Sequence, residues 1–466
     1  MNASVSKAKE QVHHIFDEVR ADIEHYFTQI WQCAELPCLE FESVRLLGEW
    51  LQKEGFTLER NLSGVPTAFA ATWGQGGSTV GFFAEYDALP GVDNAATPYR
   101  KPLGNRAGHG CGHNHIGAAN IGAAIVAKRY LERNNLPGSI RVIGCPAEEI
   151  VWGKVAVLER GGIGKPDVLL TSHGDYQNGA MSRPCQSVFS GEVRFYGDSG
   201  HAGISSQCSA MEALQTAMQS ITRAQHEHFP DATIRSIIRR GGDCPTVVPS
   251  EAGIWFSTRS DVYSRAQDAY DFVMEVCGRV AEENNLGLKR EYISASHGYL
   301  PNDTLGELLY RNMEIVGPPQ WSAEDVAWQQ ELVKAVRPNG EFSLDRSIAY
   351  YQEGVDYYGQ DDGEVSWHIP LGRVNWAVPE EVPIHHWSYT ALSGHKAGFA
   401  GPLMASESLA LAAVELFHDS NLIDLAKAEL QQRNKGQIPA PPKVGAFDAL
   451  AQTPELFWDG SWMDEM

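Results

Sequence analysis

Three histidines and a cysteine fall within seven residues of this chain, in Gly108-His109-Gly110-Cys111-Gly112-His113-Asn114-His115. Packing is a poor explanation for such a run. A buried imidazole needs a hydrogen-bond partner or a metal, and the intervening glycines offer no apolar bulk. Glycine lets the backbone bend so that Cys111 and His113, two residues apart, can face one centre. Thiolate and imidazole together suit zinc- or manganese-class dications, the thiolate leaning toward zinc. The competing reading is a polar turn ahead of a helix starting near Ile116, with the histidines as caps.

Four other motifs add to the cluster. Pro146-Ala147-Glu148-Glu149 follows an apolar run. Paired carboxylates there fit a metal hydrolase in which one binds metal and the other moves protons, though such a pair alone reads as readily as a solvated helix start. Ser172-His173-Gly174-Asp175 follows a second apolar run. Gly197-Asp198-Ser199-Gly200-His201-Ala202-Gly203 is a glycine-rich turn, and Pro383-Ile384-His385-His386-Trp387 lies far downstream. Each of these last three is an ordinary loop if taken by itself.

The elements that must position these residues follow from periodicity. Val12, Phe16, Val19, Ile23, Phe27 and Ile30 recur at helical steps, and Leu46, Trp50 and Leu51 continue them. Val80–Ala84, Ser139–Gly144 and Asp167–Thr171 read as buried strands, alternating with helices over Ile116–Leu131 and Val151–Glu159. This is an α/β fold, a catalytic domain with a mostly parallel sheet flanked by helices. Such sheets gather their sites at strand carboxyl ends. Between 187 and 300 the order becomes strand–helix–strand–strand–helix–strand, an inserted α+β (ferredoxin-like) domain. The expected divisions are 1–186 and 301–435 for the catalytic domain, 187–300 for the insert, and a tail at 436–466 entered through a proline-rich linker.

Composition narrows the classes. Of 466 residues, 43% are hydrophobic and 21% charged, which excludes wholesale disorder and fibrous architectures. Against 59 acidic residues stand 37 Lys and Arg, so the chain carries −22 and is not expected to bind nucleic acid or anionic membrane surfaces. No uninterrupted apolar stretch of about 18 residues occurs, so no bilayer-spanning segment is expected. Met1–Arg20 is polar, without the apolar core of a secretory signal. The eight cysteines are sparse, as in a reducing compartment, and a cytoplasmic location is expected.

Taken in order, the five motifs resemble the aminoacylase/carboxypeptidase superfamily of dinuclear metallohydrolases. Within it they are most similar to the p-aminobenzoyl-glutamate hydrolase branch, where a cysteine replaces the usual bridging aspartate. The likeness extends to Asp362-Gly363-Glu364-Val365-Ser366-Trp367 and Ser393-Gly394-His395-Lys396, and runs from about Ala21 to Gln432. The resemblance implies two divalent metal ions, Zn or Mn. Cys111 would bridge them, His113, His173, Glu149 and His385 would complete their shells, and Glu148 would be the general base for an attacking metal-bound water. Asp87 would orient a ligand histidine. His201 would reach from the inserted dimerisation lid into a partner's site, in a homodimer or with a related second subunit. Glu85 stands where distant relatives place a ligand histidine, so that role is not transferred. His115 takes a position that is usually apolar, and His386 leaves the last ligand ambiguous by one residue.

The implied reaction is hydrolysis of the amide of an N-acyl or N-aroyl amino acid, p-aminobenzoyl-glutamate-like. A substrate carboxylate needs a guanidinium or a nest of amides. Arg259 is the favoured residue, with Arg239 and Arg240 behind it, although a solvated strand-end arginine explains each as well. Trp367 and Trp387 suggest an aromatic pocket, and core packing suggests them equally. The alternatives are a dipeptidase, an arylamine aminohydrolase on the same site, or a non-catalytic partner in a hetero-oligomeric hydrolase. A structural zinc module fits less well, since its ligands are compact Cys/His pairs and not five sites spread over roughly 270 residues.

Overall fold

Thr79–Glu85 is buried over nearly its whole length, as a strand covered on both faces must be. Val80, Phe82 and Ala84 join an apolar cluster on one side of the sheet and Phe83 joins a different cluster on the other, the alternation a strand imposes. The computed structural model describes residues 3–104, 107–204 and 208–445. Its main sheet has eight strands in the order Thr57–Arg60, Phe69–Gln75, Gly138–Cys145, Thr79–Glu85, Val168–Asp175, Leu371–Ala377, Gly179–Met181, Ala349–Tyr351. The third to sixth of these run parallel, so their carboxyl ends open on one edge. Antiparallel strands flank that centre.

One face is covered by the helices Ala3–Cys33, His113–Asn134 and Ala400–His418, which pack on each other and on the central strands. Ala400–His418 is long and apolar enough to cross a membrane, but 83% of its apolar window is buried inside the protein. It is the core helix of this layer. Its apolarity on all sides reflects neighbours on all sides.

The segment from Ser187 to Ser296 forms a second sheet, ordered Thr233–Arg240, Glu251–Ser260, Ser187–Tyr196, Gly287–Ser296 and antiparallel throughout. Helices Ala210–His228 and Tyr263–Glu283 cover one of its faces around Phe195, Leu214, Ile254 and Val273. Ser209 starts the first helix with a capping box, its hydroxyl accepting the Glu212 N–H and its own N–H donating to the Glu212 carboxylate. The other face looks toward the catalytic sheet.

Three elements differ from the sequence reading. The helix expected over Val151–Glu159 is split into a short 3-10 turn, Glu148–Ile150, and a helix, Gly153–Glu159. Ala147 and Val151 on either side of the turn adopt left-handed backbone, φ 55° and 56°, which no continuous helix allows. The strand expected to stop at Thr171 runs on to Asp175, so His173 sits within it, opposite Asn375. The proline-rich linker carries no regular element, yet it is anchored. Gly445 N–H donates to the Ile293 carbonyl at 2.8 Å, and the Trp152 indole donates to the Gly445 carbonyl at 3.3 Å. The remainder of the tail, 446–466, lies outside the described residues.

Candidate metal centre

Three segments from the carboxyl edge of the sheet and one loop supply the centre. Cys111 and His113 straddle Gly112, which caps the helix His113–Asn134 with φ 77°. A side chain at Gly112 would meet the Tyr389 ring at 2.9 Å, and one at Gly174 would meet its hydroxyl at 1.9 Å. The phenol is therefore wedged between the backbones that carry Cys111 and His173, and only glycine leaves room for it. The loop before Trp387 is tied in by His385 N–H donating to the Gly110 carbonyl at 2.8 Å.

The ligand atoms form two overlapping triads. In one, Cys111, His113 and His173 bring a thiol and two ring nitrogens within 4.8 Å of each other; in the other, Cys111, Glu149 and His385 converge as closely. Cys111 is common to both. Its Sγ is 3.6 Å from Nε2 of His173, while Nε2 of His385 is 3.3 Å from Oε2 of Glu149. Glu148 sits between, its Oε2 at 3.7 Å from Nε2 of His113. His385 is the member of the His-His pair that joins the cluster. His386 turns away, and its Nδ1 accepts the Ser388 N–H to cap the next helix. His385 adopts a left-handed φ of 63° to reach inward. Left-handed backbone at Ala147, Val151 and His385 thus marks both loops that deliver Glu149 and His385, the kind of place where strain commonly collects.

Asp87 holds the arrangement together. One of its oxygens accepts the His113 Nδ1–H at 2.8 Å and the other accepts the Glu149 backbone N–H at 3.0 Å. With Nδ1 engaged, Nε2 of His113 presents its lone pair to the centre. His173 is set the same way, its Nδ1–H donating to the Gly174 carbonyl at 2.7 Å.

The electrostatics are those of crowded donors. Burial, then Glu149, pushes the Cys111 thiol up. Burial, then Glu85 and Asp361, pushes the Glu148 carboxyl well up. Burial lowers His173 to about 4. Burial also opposes charge on His113, but Asp87 and Cys111 outweigh it and raise the ring well above its usual value. Nε2 of His113 and Oε1 of Glu149, both buried, have no hydrogen-bond partner among the described residues. Thiol, imidazoles and carboxylates converging with orphaned acceptors are what a pair of dications would satisfy, so the residues fit such a pair.

Other expected residues lie elsewhere. His201 is exposed in a two-residue strand of the lid, its Nδ1 accepting the Gly203 N–H at 3.1 Å, and the structure does not bring it into the cluster. His115 packs against Phe27, Phe399 and Trp376, away from the centre. Trp367 donates its indole N–H to the Gly298 carbonyl at the root of the lid. Arg259 does approach. A cleft of about 400 Å³ runs from Glu149–Val151 to the lid sheet, where Arg259, Arg235 and Trp255 line it.

Sequence reasoning missed Glu40, Lys154 and Asp361, all of them buried. Glu40 accepts the Cys38 and Ala147 N–H groups at 2.8 and 2.9 Å and so fixes the entry to the Glu148 turn. Burial, then Asp87, raises its carboxyl to about 8. Lys154 lies between Glu85 and Asp361. Nothing local marks these residues, because their partners are distant in the chain.

The model of peptidase family M20/M25/M40 matches residues 81–446. One of the two chains of the p-aminobenzoyl-glutamate hydrolase of Escherichia coli (strain K12) is 29% identical, over 92% of this chain and 97% of its own length. The Xaa-Arg dipeptidase of Mus musculus is 25% identical over 79% of this chain and 78% of its own. Among solved structures, an aminobenzoyl-glutamate utilization protein from Klebsiella pneumoniae aligns with a TM-score of 0.61 at 17% identity, covering 87% of this chain and 98% of its own. A dinuclear metal binding peptidase of the M20 family from Bacillus subtilis aligns with a TM-score of 0.53 at 18% identity, covering 84% and 99%. With its matched region taking in both parts of the catalytic sheet and the lid between them, the chain belongs to peptidase family M20/M25/M40 and is an amidohydrolase.

Proposed function

We propose that this chain hydrolyses the amide bond of an N-acyl or N-aroyl amino acid whose amino-acid part is anionic, with p-aminobenzoyl-glutamate as the type substrate. The observation that carries the reading is the pair of triads sharing Cys111 beside Glu148. Cys111, His113 and His173 hold one dication, and Cys111, Glu149 and His385 the other. Zinc and manganese both suit a mixed thiolate, imidazole and carboxylate set. The chemistry such a pair supplies when bound is polarisation of the amide carbonyl and acidification of a water.

The chain's own residues do the rest. Glu148, buried and unwilling to stay charged, takes the proton of the attacking water and returns it to the leaving amine. Asp87 keeps the His113 lone pair and the Glu149 backbone in place. Arg259 and Arg235 across the cleft attract a carboxylate, and Trp255 beside them offers a face to an aryl group. In a dimer, His201 of the partner subunit would add a donor toward the developing oxyanion. Pairing with a related but different chain is the other arrangement, since two distinct chains of the Escherichia coli hydrolase are both similar to this one. A cytoplasmic location suits eight cysteines that form no disulfide.

A dipeptidase acting before arginine is the nearest alternative. The two arginines lining the cleft disfavour it, because like charges repel across a low-dielectric gap. The test is a panel of p-aminobenzoyl-glutamate, other aroyl amino acids, Xaa-Arg dipeptides and arylamines against metal-loaded chain. Preference for the anionic amides is expected. Glu148→Gln is expected to lower turnover by about 100- to 10,000-fold with metal content unchanged. Loss of metal in that variant would make Glu148 a ligand. Activity only after addition of a second, related chain would favour the reading of this one as a partner in a hetero-oligomer.

A further inference from the structure

Lys154, Glu85 and Asp361 form a charge cluster with no part in the chemistry above. All three are at most 2% exposed. Lys154 lies in the first turn of Gly153–Glu159, its Nζ 2.7 Å from Oε1 of Glu85 and 2.5 Å from Oδ1 of Asp361. Its backbone N–H donates to the second Asp361 oxygen at 2.7 Å. Burying a lysine and two carboxylates is costly, and replacing such a group by apolar side chains is often neutral or stabilising. Packing alone therefore gives little reason for it.

The free oxygen of Glu85 supplies the reason. Its Oε2 lies 3.5 Å from Nε2 of His113, and neither atom has a hydrogen-bond partner among the described residues. Because Asp87 occupies Nδ1 of His113, Nε2 faces the carboxylate with a lone pair. A lone pair and an anionic oxygen at that separation repel, and a cation between them turns the contact attractive.

On the dinuclear reading, on which this inference rests, we propose that Lys154 and Asp361 clamp Glu85 so that its second oxygen is a further anionic contact for the ion held by Cys111, His113 and His173. Lys154 takes one oxygen and thereby fixes the rotation of the carboxylate. Asp361 holds Lys154 by both its ammonium and its backbone. Lys154 is then a positioning residue that acts through Glu85, and an added carboxylate oxygen makes this half of the centre more hospitable to a hard cation such as manganese.

The test titrates manganese into wild-type chain and variants against a chelating indicator, with melting temperatures recorded alongside. Wild type is expected to show two binding steps. Glu85→Gln, nearly isosteric, is expected to weaken one step by about 10- to 100-fold, the range for groups that tune a metal site, and to spare the other. Lys154→Met is expected to weaken the same step and to lower the melting temperature. The double variant separates positioning from support. It should regain melting temperature, because the buried charges leave as a pair, while its affinity stays at that of Glu85→Gln alone. A purely structural lysine would give back both.

If Lys154→Met does not fold, Glu85→Gln decides the matter by itself. Two unchanged steps in Glu85→Gln would overturn the clamp and leave the dinuclear reading standing. A wild-type chain that takes up no ion would overturn that reading and the clamp with it.

Discussion

On one side of Cys111 the centre is walled in, and on the other it is open. The His113 side chain is 0% exposed, has Asp87 behind it and faces Glu85, which Lys154 holds in place. The His385 side chain is 53% exposed and sits on left-handed backbone at the mouth of the lid cleft. The walled half is preorganised, since its ligands have few alternatives once the fold is made. The open half can adjust, and a substrate must arrive from that side. One rigid ion site joined through a shared thiol to an adaptable one suits a reaction in which a carbonyl must enter and an amine must leave.

Cys111→Ser breaks the comparison at its common point, so its effect should be the largest. A serine hydroxyl is a harder and far less acidic donor than a thiol. Both ions are expected to weaken by more than about 100-fold, beyond the range for groups outside the ligand set. Metal per chain measured after dialysis checks this. Retention of one ion would mean that the thiol serves only one half.

His385→Ala separates the halves. The ion of the open half is expected to be lost while the walled half keeps its own, so metal content falls from two equivalents to one. Turnover should fall with it. Loss of both ions would show that the halves are coupled more tightly than the shared cysteine and the Asp87 bridge to the Glu149 backbone require.

The contrast also separates what was legible in the sequence from what was not. Cys111, His113, Glu148, Glu149 and His173 announce themselves because unusual residue types follow apolar runs, and parallel strands deliver them to one edge. The lid is legible because its periodicity changes at Ser187 and its elements alternate in a known order. The clamp is not. Lys154 reads as an ordinary lysine in a helical stretch, and its partner Asp361 is 207 residues away. Glu40 reaches Ala147 across 107 residues. Local pattern carries no information about pairs that only folding brings together. The choice between His385 and His386 is likewise tertiary, since it turns on which histidine caps the helix that follows.

The smallest expected effect concerns the histidines that the centre leaves out. His113 and His115 are two residues apart on one helix, yet His115 is enclosed by Phe27, Phe399 and Trp376, and one of its ring nitrogens has no hydrogen-bond partner among the described residues. Burial lowers its pKa from 6.5 to about 3. Burial lowers His109 to about 3 as well. Between those values the unfolded chain takes up a proton that the folded chain refuses, so stability falls as pH falls from 6.5 toward 3. The slope is about 1.4 kcal/mol per pH unit for each such histidine. His115→Leu removes one of the two, while the Ser393 carbonyl keeps the Asn114 amide as donor at 3.0 Å. Relative to wild type, the variant should gain about 2 kcal/mol at pH 5 over its standing at pH 7.5. Urea unfolding at the two pH values, with chelator in both so that ligand titration cancels, measures the difference. An unchanged difference would mean that water or a neighbouring acceptor reaches the His115 ring, and that its cage is less closed than its aromatic neighbours make it.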